Sequence, residues 1–276
     1  MLMLARVVEQ YADLPRFLRK PMWRVWHSLI IRQERRQVDT TLMNYGYVGL
    51  DPDAPPLALA PEDEAQRYCI HLYHQVAAQL NLRGLDVLEV GSGRGGGASY
   101  IARYLEPKSV TGIDLAPDVI AFCNQHHRAV HNLKFVVGDA EAIPFPDGWF
   151  DAVVNVESSR CYPDVPRFLA EVRRVLRPNG ALLLTDMRWA KDAATLRSQL
   201  VAAGFALERE VEITAQVTRA LELDDARRKG LIRSKVPGWL VPAFDEFAGV
   251  QGSGRYGSFA DRSMQYWTYL ARRADG

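Results

Sequence analysis

Apolar and polar positions along this chain change their spacing in a regular order. Residues from Asp63 to Leu80 read as a helix. A short apolar run follows, Leu85-Asp86-Val87-Leu88-Glu89-Val90, and closes on Gly91-Ser92-Gly93-Arg94-Gly95-Gly96-Gly97. That pattern predicts a buried strand, a tight turn and a helix opening through Ala98, Tyr100 and Ile101. Ser109–Asp114 predicts a second strand and Leu133–Ala140 a third. Ile143–Val154 reads as a turn running into a fourth strand, and Val175–Leu184 as a helix end and turn running into a fifth. Strands and helices alternate in this way to about residue 214, which predicts a mostly parallel sheet with helices on both faces.

The alternation then stops. Leu221, Leu231, Ile232, Val236, Trp239, Leu240, Phe244 and Phe247 give residues 216–249 an apolar side. Met264, Tyr266, Trp267, Tyr269 and Leu270 predict a closing strand. At the other end, Trp23, Trp26, His27 and Ile30 share one helical face, and Asp51-Pro52-Asp53-Ala54-Pro55-Pro56 predicts a stiff linker. The expected division is an N-terminal helical extension and linker (1–61), an α/β core (62–215), a helical insert covering the substrate side (216–262) and a closing strand and tail (263–276).

Composition adds bounds. A chain of 276 residues with 48% hydrophobic positions suits one large α/β domain with additions. A net charge of +1 gives no global footprint for nucleic acid. Cys69, Cys123 and Cys161 lack paired spacing, which predicts a reducing, cytoplasmic setting. No signal peptide is expected at the N-terminus, and no apolar run reaches membrane-spanning length. The first 36 residues hold eight Lys/Arg against three Asp/Glu. Arg24, Arg32, Arg35 and Arg36 are interleaved with the Trp face. That stretch reads as a helix packed on the body or on a second copy in a homo-oligomer, or as a basic face for peripheral membrane contact or for gripping an acyl substrate.

The glycine turn carries the chemistry. Five glycines between positions 91 and 97 would be costly as mere punctuation, because each raises the entropy lost on folding. At a strand's end and a helix's start they form a seat for a cofactor. Gly91, Gly93 and Gly96 satisfy G-x-G-x-x-G, a weak signal alone. Asp114 ends the second strand where a carboxylate can accept from ribose hydroxyls. NAD and S-adenosylmethionine both carry that ribose, so Asp114 does not choose between them. A carboxylate at Asp139, followed by Ala140, can accept from an adenine amine.

These segments, in this order, resemble the class I S-adenosylmethionine-dependent methyltransferases. Glu89 before the first glycine resembles the first position of their E-x-G-x-G-x-G signature. A closer likeness runs from about Trp23 onward. Asn155-Val156-Glu157-Ser158-Ser159-Arg160-Cys161-Tyr162-Pro163, His71-Leu72-Tyr73-His74 and the Gly93–Tyr100 turn resemble segments of the phthiotriol and phenolphthiotriol dimycocerosate methyltransferases. The resemblance implies a Rossmann-like fold with a seven-stranded sheet, its last strand antiparallel. It implies S-adenosyl-L-methionine as cofactor and S-adenosyl-L-homocysteine as product; His71 and His74, one helical turn apart without further ligands, predict no metal. It places Glu89, Gly91, Gly93, Gly95, Asp114, Leu115, Asp139, Ala140, Asn155 and Tyr73 against that cofactor. It further implies O-methylation of a hydroxyl on a hydrophobic polyketide-like or lipid small molecule.

One position departs: the family's His after the fourth strand is Arg160 here. Arg stays protonated and cannot serve as a base. The expected catalytic residues are therefore Glu157 and His74. The rival is C-methylation of an alkene-bearing or isoprenoid acceptor, its carbocation steadied by Tyr45, Tyr47, Tyr73 and Glu157. His126, His127 and His131 read as solvated residues near a helix end.

Overall fold

The computed structural model describes residues 40–274 apart from Pro52. The Trp23–Ile30 face and its arginines lie outside the described residues. Seven strands are β1 (Asp86–Val90), β2 (Ser109–Asp114), β3 (Leu133–Val137), β4 (Phe150–Val156), β5 (Leu176–Trp189), β6 (Phe205–Glu212) and β7 (Met264–Arg273). They form one sheet in the order β3-β2-β1-β4-β5-β7-β6. β1 to β5 pair in parallel, and β7 lies antiparallel between β5 and β6.

Alternate side chains of each strand face opposite sides of the sheet. On one side Val87, Ala152, Val154, Ala181 and Leu183 pack with α1 (Arg67–Ala77), α2 (Gly96–Tyr104) and α3 (Pro117–His126). On the other, Leu88, Val153, Leu182 and Leu184 pack with α4 (Val165–Val175) and α5 (Ala193–Ala202). Covering both faces explains why these strands read as continuous apolar runs. Each Val or Leu among them stabilises the fold by roughly 1.5–3 kcal/mol when fully buried. In α4, Phe168, Leu169, Val172 and Val175 hold the buried face at helical spacing. The Asp164 carboxylate caps its start by accepting from Arg167 N.

Residues 177–180 differ from the sequence expectation of a turn before the fifth strand. Leu176 already pairs with Phe150, and pairing resumes at Ala181–Ala152. Arg177-Pro178-Asn179-Gly180 is thus a bulge inside β5, with Asn179 at φ 60°.

The insert before β7 comprises α6 (Thr214–Lys235), α7 (Val241–Ala248) and α8 (Gly254–Ala260). Val217 and Leu221 of α6 and Phe259 of α8 join the core on the α1 side. From β1 the sheet grows outward through β2 to β3, then the chain returns to β4 on the other side. Ligands of open parallel sheets bind at such a switch, over the carboxyl ends of the strands.

Candidate active site

A cleft of about 1120 Å³, part of it open to solvent, lies over that switch. Its floor is the loop after β1. Gly91, Gly93 and Gly95 all have positive φ, at 78°, 49° and 78°. A Cβ on Gly91 would meet Ser158 Oγ at 2.6 Å, so the chain can pass there only as glycine. At Gly93 the Cβ direction is almost open, with Met43 Cε at 4.0 Å the only neighbour among the described residues. The backbone is bared to whatever fills the cleft. Gly93 N donates to Asp114 Oδ2 at 3.0 Å, and Ala116 N donates to Oδ1 at 3.2 Å. These bonds fix the Asp114 carboxylate at the end of β2, on the cleft wall.

Of the residues singled out from the sequence, Gly91, Gly93, Asp114, Leu115, Asp139, Ala140, Tyr73 and Glu157 line this cleft together. Three others do not. Gly95 packs under the loop, where a Cβ would strike the Phe135 ring at 2.5 Å. Asn155 is fully buried, and its Nδ2 donates to Val90 O at 2.9 Å and Ser158 Oγ at 2.7 Å. It ties the end of β1 to the loop after β4. Glu89 lies beneath the wall and accepts from Tyr73 Oη at 2.7 Å. Burial raises its pKa to about 8. Its Oε2 has no hydrogen-bond partner among the described residues. Gly97 makes this arrangement possible, since a Cβ there would sit 2.0 Å from the Tyr73 ring.

His74 is also absent from the cleft lining. Adjacent helical residues point about 100° apart. With Tyr73 turned to the cleft, His74 turns to α2 and its Nδ1 lies 2.7 Å from Tyr100 Oη. Burial lowers its pKa. Tyr47 packs at the edge of the core, its N donating to Tyr68 O. His127 is not solvated: it is buried, its Nε2 lies 2.9 Å from Arg94 O, and burial lowers its pKa to about 4.

A second cavity of about 760 Å³, part of it open to solvent, adjoins the first and shares Met43, Asn44, Arg94, Glu157, Arg160 and Phe247 with it. Phe244 and Ala248 of α7 and Arg228 of α6 complete much of its wall. Glu157 stands between the two spaces. Its φ is 52°, a costly conformation for a non-glycine residue and one that clusters at functional sites. Its Oε1 accepts from Tyr45 N at 2.8 Å and Tyr266 Oη at 2.5 Å. Removal from water raises its pKa to about 7, despite those two donors and Arg160. A carboxyl poised there can exchange a proton near neutrality.

Sequence reasoning missed the strap Thr41–Asn44, which lines the first cavity and, through Met43 and Asn44, the second, and the arginines at 94 and 228 as wall residues. The run Asn44-Tyr45-Gly46-Tyr47 carried the available signal for the strap. Gly46 sits at φ 85°, and its Cβ would meet the Tyr68 backbone at 3.2 Å. Among the described residues no group of His, Cys, Asp and Glu could hold a metal ion, and no helix is long and apolar enough to cross a membrane.

Comparison with known proteins adds four findings. A family model described as a methyltransferase domain matches residues 88–184. A phthiotriol/phenolphthiotriol dimycocerosates methyltransferase of Mycobacterium leprae is 40% identical over 261 residues, covering 91% of this chain and 92% of that protein. A fatty-acid O-methyltransferase of Mycolicibacterium smegmatis is 45% identical over 200 residues, 71% of each chain. Among solved structures, geranyl diphosphate C-methyltransferase from Streptomyces coelicolor A3(2), in complex with S-adenosyl-L-homocysteine, superposes with a TM-score of 0.63. The identity is 19%, with coverage of 90% of this chain and 98% of that one. That likeness concerns the fold.

Proposed function

Because this chain belongs to the S-adenosylmethionine-dependent methyltransferases, we propose that it moves the methyl group onto an oxygen of a hydrophobic, lipid-like acceptor. The cofactor supplies a methyl bound to a positively charged sulfur. The protein's share is to bind, orient and exclude water. The residues over the switch suit the cofactor: backbone at Gly91 and Gly93 could approach it, Asp114 would accept from its ribose hydroxyls, and Asp139 and Ala140 would hold its adenine. Tyr73, held by Glu89, forms the wall beside it. Glu89, Gly95 and Asn155 act from beneath, by shaping that wall.

The acceptor occupies the second cavity, under α6 and α7. The observation that carries this reading is Glu157, whose carboxyl stands at the junction of the two spaces with its pKa near 7. The Glu157 carboxylate would take the acceptor's hydroxyl proton as the methyl group moves from the cofactor's sulfur to that oxygen. His74 is left out of the step by its position against Tyr100. The names of the mycobacterial relatives, one a fatty-acid O-methyltransferase, support an oxygen on a lipid. The apolar side chains of Met43, Phe244 and Phe247 would receive its tail.

The test is transfer of a labelled methyl from S-adenosylmethionine to long-chain hydroxy and acid lipids, with product fragmentation read by mass spectrometry. Loss of methanol from the product marks an oxygen-bound methyl. A label retained on the carbon skeleton would replace O-transfer with C-transfer.

A further inference from the structure

The second cavity is apolar in Met43, Phe244 and Phe247, yet three arginines face it: Arg94, Arg160 and Arg228. An apolar acceptor alone gives no reason for that much positive charge. The three differ in how their charge is used. Arg228 is consumed by the protein: its Nε donates to Asp224 Oδ2 at 2.9 Å, and its two terminal nitrogens donate to Ala248 O and Asn44 O. It holds α6, α7 and the strap together. Arg94 Nη1 donates to Thr40 O at 3.1 Å, at the other edge of the strap.

Arg160 is different. Its backbone N donates to Asp186 Oδ2 at 2.8 Å, so its Cα is pinned. Its guanidinium makes no hydrogen bond among the described residues, and the buried Nε lacks a partner. The nearest carboxylate oxygen, Asp186 Oδ1, is 3.9 Å from Nε. That carboxylate is already served elsewhere. It accepts from Ser159 Oγ at 2.6 Å and Met187 N at 2.8 Å, and Arg188 Nη1 lies 3.2 Å away. The Arg160 side chain is 28% exposed, and it lines both cavities beside Glu157. A half-buried planar fork with donors unspent matches the two oxygens of a carboxylate.

We propose that Arg160 is an anion-binding subsite, and that the acceptor this cavity takes is an amphiphile with a carboxylate beside an apolar tail. The guanidinium fixes the carboxylate at the junction, and the tail runs along Phe244 and Phe247. The acceptor's reacting oxygen is thereby brought beside Glu157. This rests on the second cavity being the acceptor site. It does not depend on which oxygen is methylated.

The experiment measures binding, apart from turnover. The full chain, saturated with S-adenosylhomocysteine, is titrated calorimetrically with dodecanoate and with dodecanol, as wild type, Arg160→Gln and Arg160→Lys. The wild type is expected to prefer dodecanoate. Arg160→Gln is expected to weaken dodecanoate about ten- to a hundredfold, the loss of a charged hydrogen-bond pair, and to leave dodecanol unchanged. Arg160→Lys, which keeps the charge without the fork, should fall between. A thermal melt without ligand that matches the wild type in each variant checks that the fold is intact, and a loss of S-adenosylhomocysteine affinity in Arg160→Gln as large as the loss of dodecanoate would assign the guanidinium to the cofactor's own carboxylate and overturn the subsite. Equal affinity of the wild type for acid and alcohol, or an equal loss of both in Arg160→Gln, would overturn the subsite. Acid binding that depends on Arg160, in a protein that methylates neither class of lipid, would keep the subsite and sink the transfer reading instead.

Discussion

At Glu157 three unusual features meet: a left-handed backbone, a desolvated carboxyl, and two donors on one oxygen. If this group takes the acceptor proton, kcat/KM should rise with pH through about 7, where the carboxyl ionises. Arg160 and Asp186 also act on that titration, the first lowering and the second raising it. Tyr266 Oη favours the ionised form, so Tyr266→Phe should move the rising limb to higher pH without abolishing turnover. Glu157→Gln should lose turnover of a hydroxyl acceptor while still binding S-adenosylhomocysteine; turnover at the wild-type rate would remove Glu157 from the mechanism. Stability has the opposite sign. Glu157 and Glu89 titrate above the ordinary 4.5, so the folded state holds more protons than the unfolded chain between 4.5 and about 7 to 8. Their contribution is full below pH 4.5 and falls as pH rises. Chemical denaturation of Glu89→Gln should show a shallower decline over that window.

The elements over the switch were legible in the sequence where local pattern alone decides them. The apolar run before Gly91, the carboxylates at 114 and 139 and the helix after Gly97 all follow from spacing and backbone chemistry. Features set by contacts distant in sequence were not legible. The β5 bulge depends on pairing with β4, and Tyr266 meets Glu157 only because β7 inserts between β5 and β6. His74 and Tyr73 are neighbours in one motif, yet helix geometry sends only Tyr73 to the cleft. The contact of α1 with α2 is tightest at Gly97, where the Tyr73 ring leaves no room for a methyl. Gly97→Ala should therefore cost about 1–3 kcal/mol by overpacking, in spite of alanine's better helix propensity. It should also weaken S-adenosylhomocysteine by displacing Tyr73. A thermal melt at or above that of wild type would contradict the packing described.

Across the whole molecule, two cavities share a wall, and residues of the insert and strap line the second one. In the proposed reading the division of labour is spatial: residues after β1 to β3 would face the cofactor, and residues from the strap, α6 and α7 the acceptor, with Glu157 lining both spaces. A ligand that binds only the folded form raises the melting temperature, by about 2.7 kcal/mol of stability at a hundred times its Kd. The most direct check is calorimetric titration of S-adenosylhomocysteine into wild type and Asp114→Ala. The account predicts one saturable site in the wild type and a loss of about 1–3 kcal/mol in the variant, the cost of removing a charged hydrogen-bond partner. Equal affinity in the two proteins would mean that the cofactor does not lie across the end of β2.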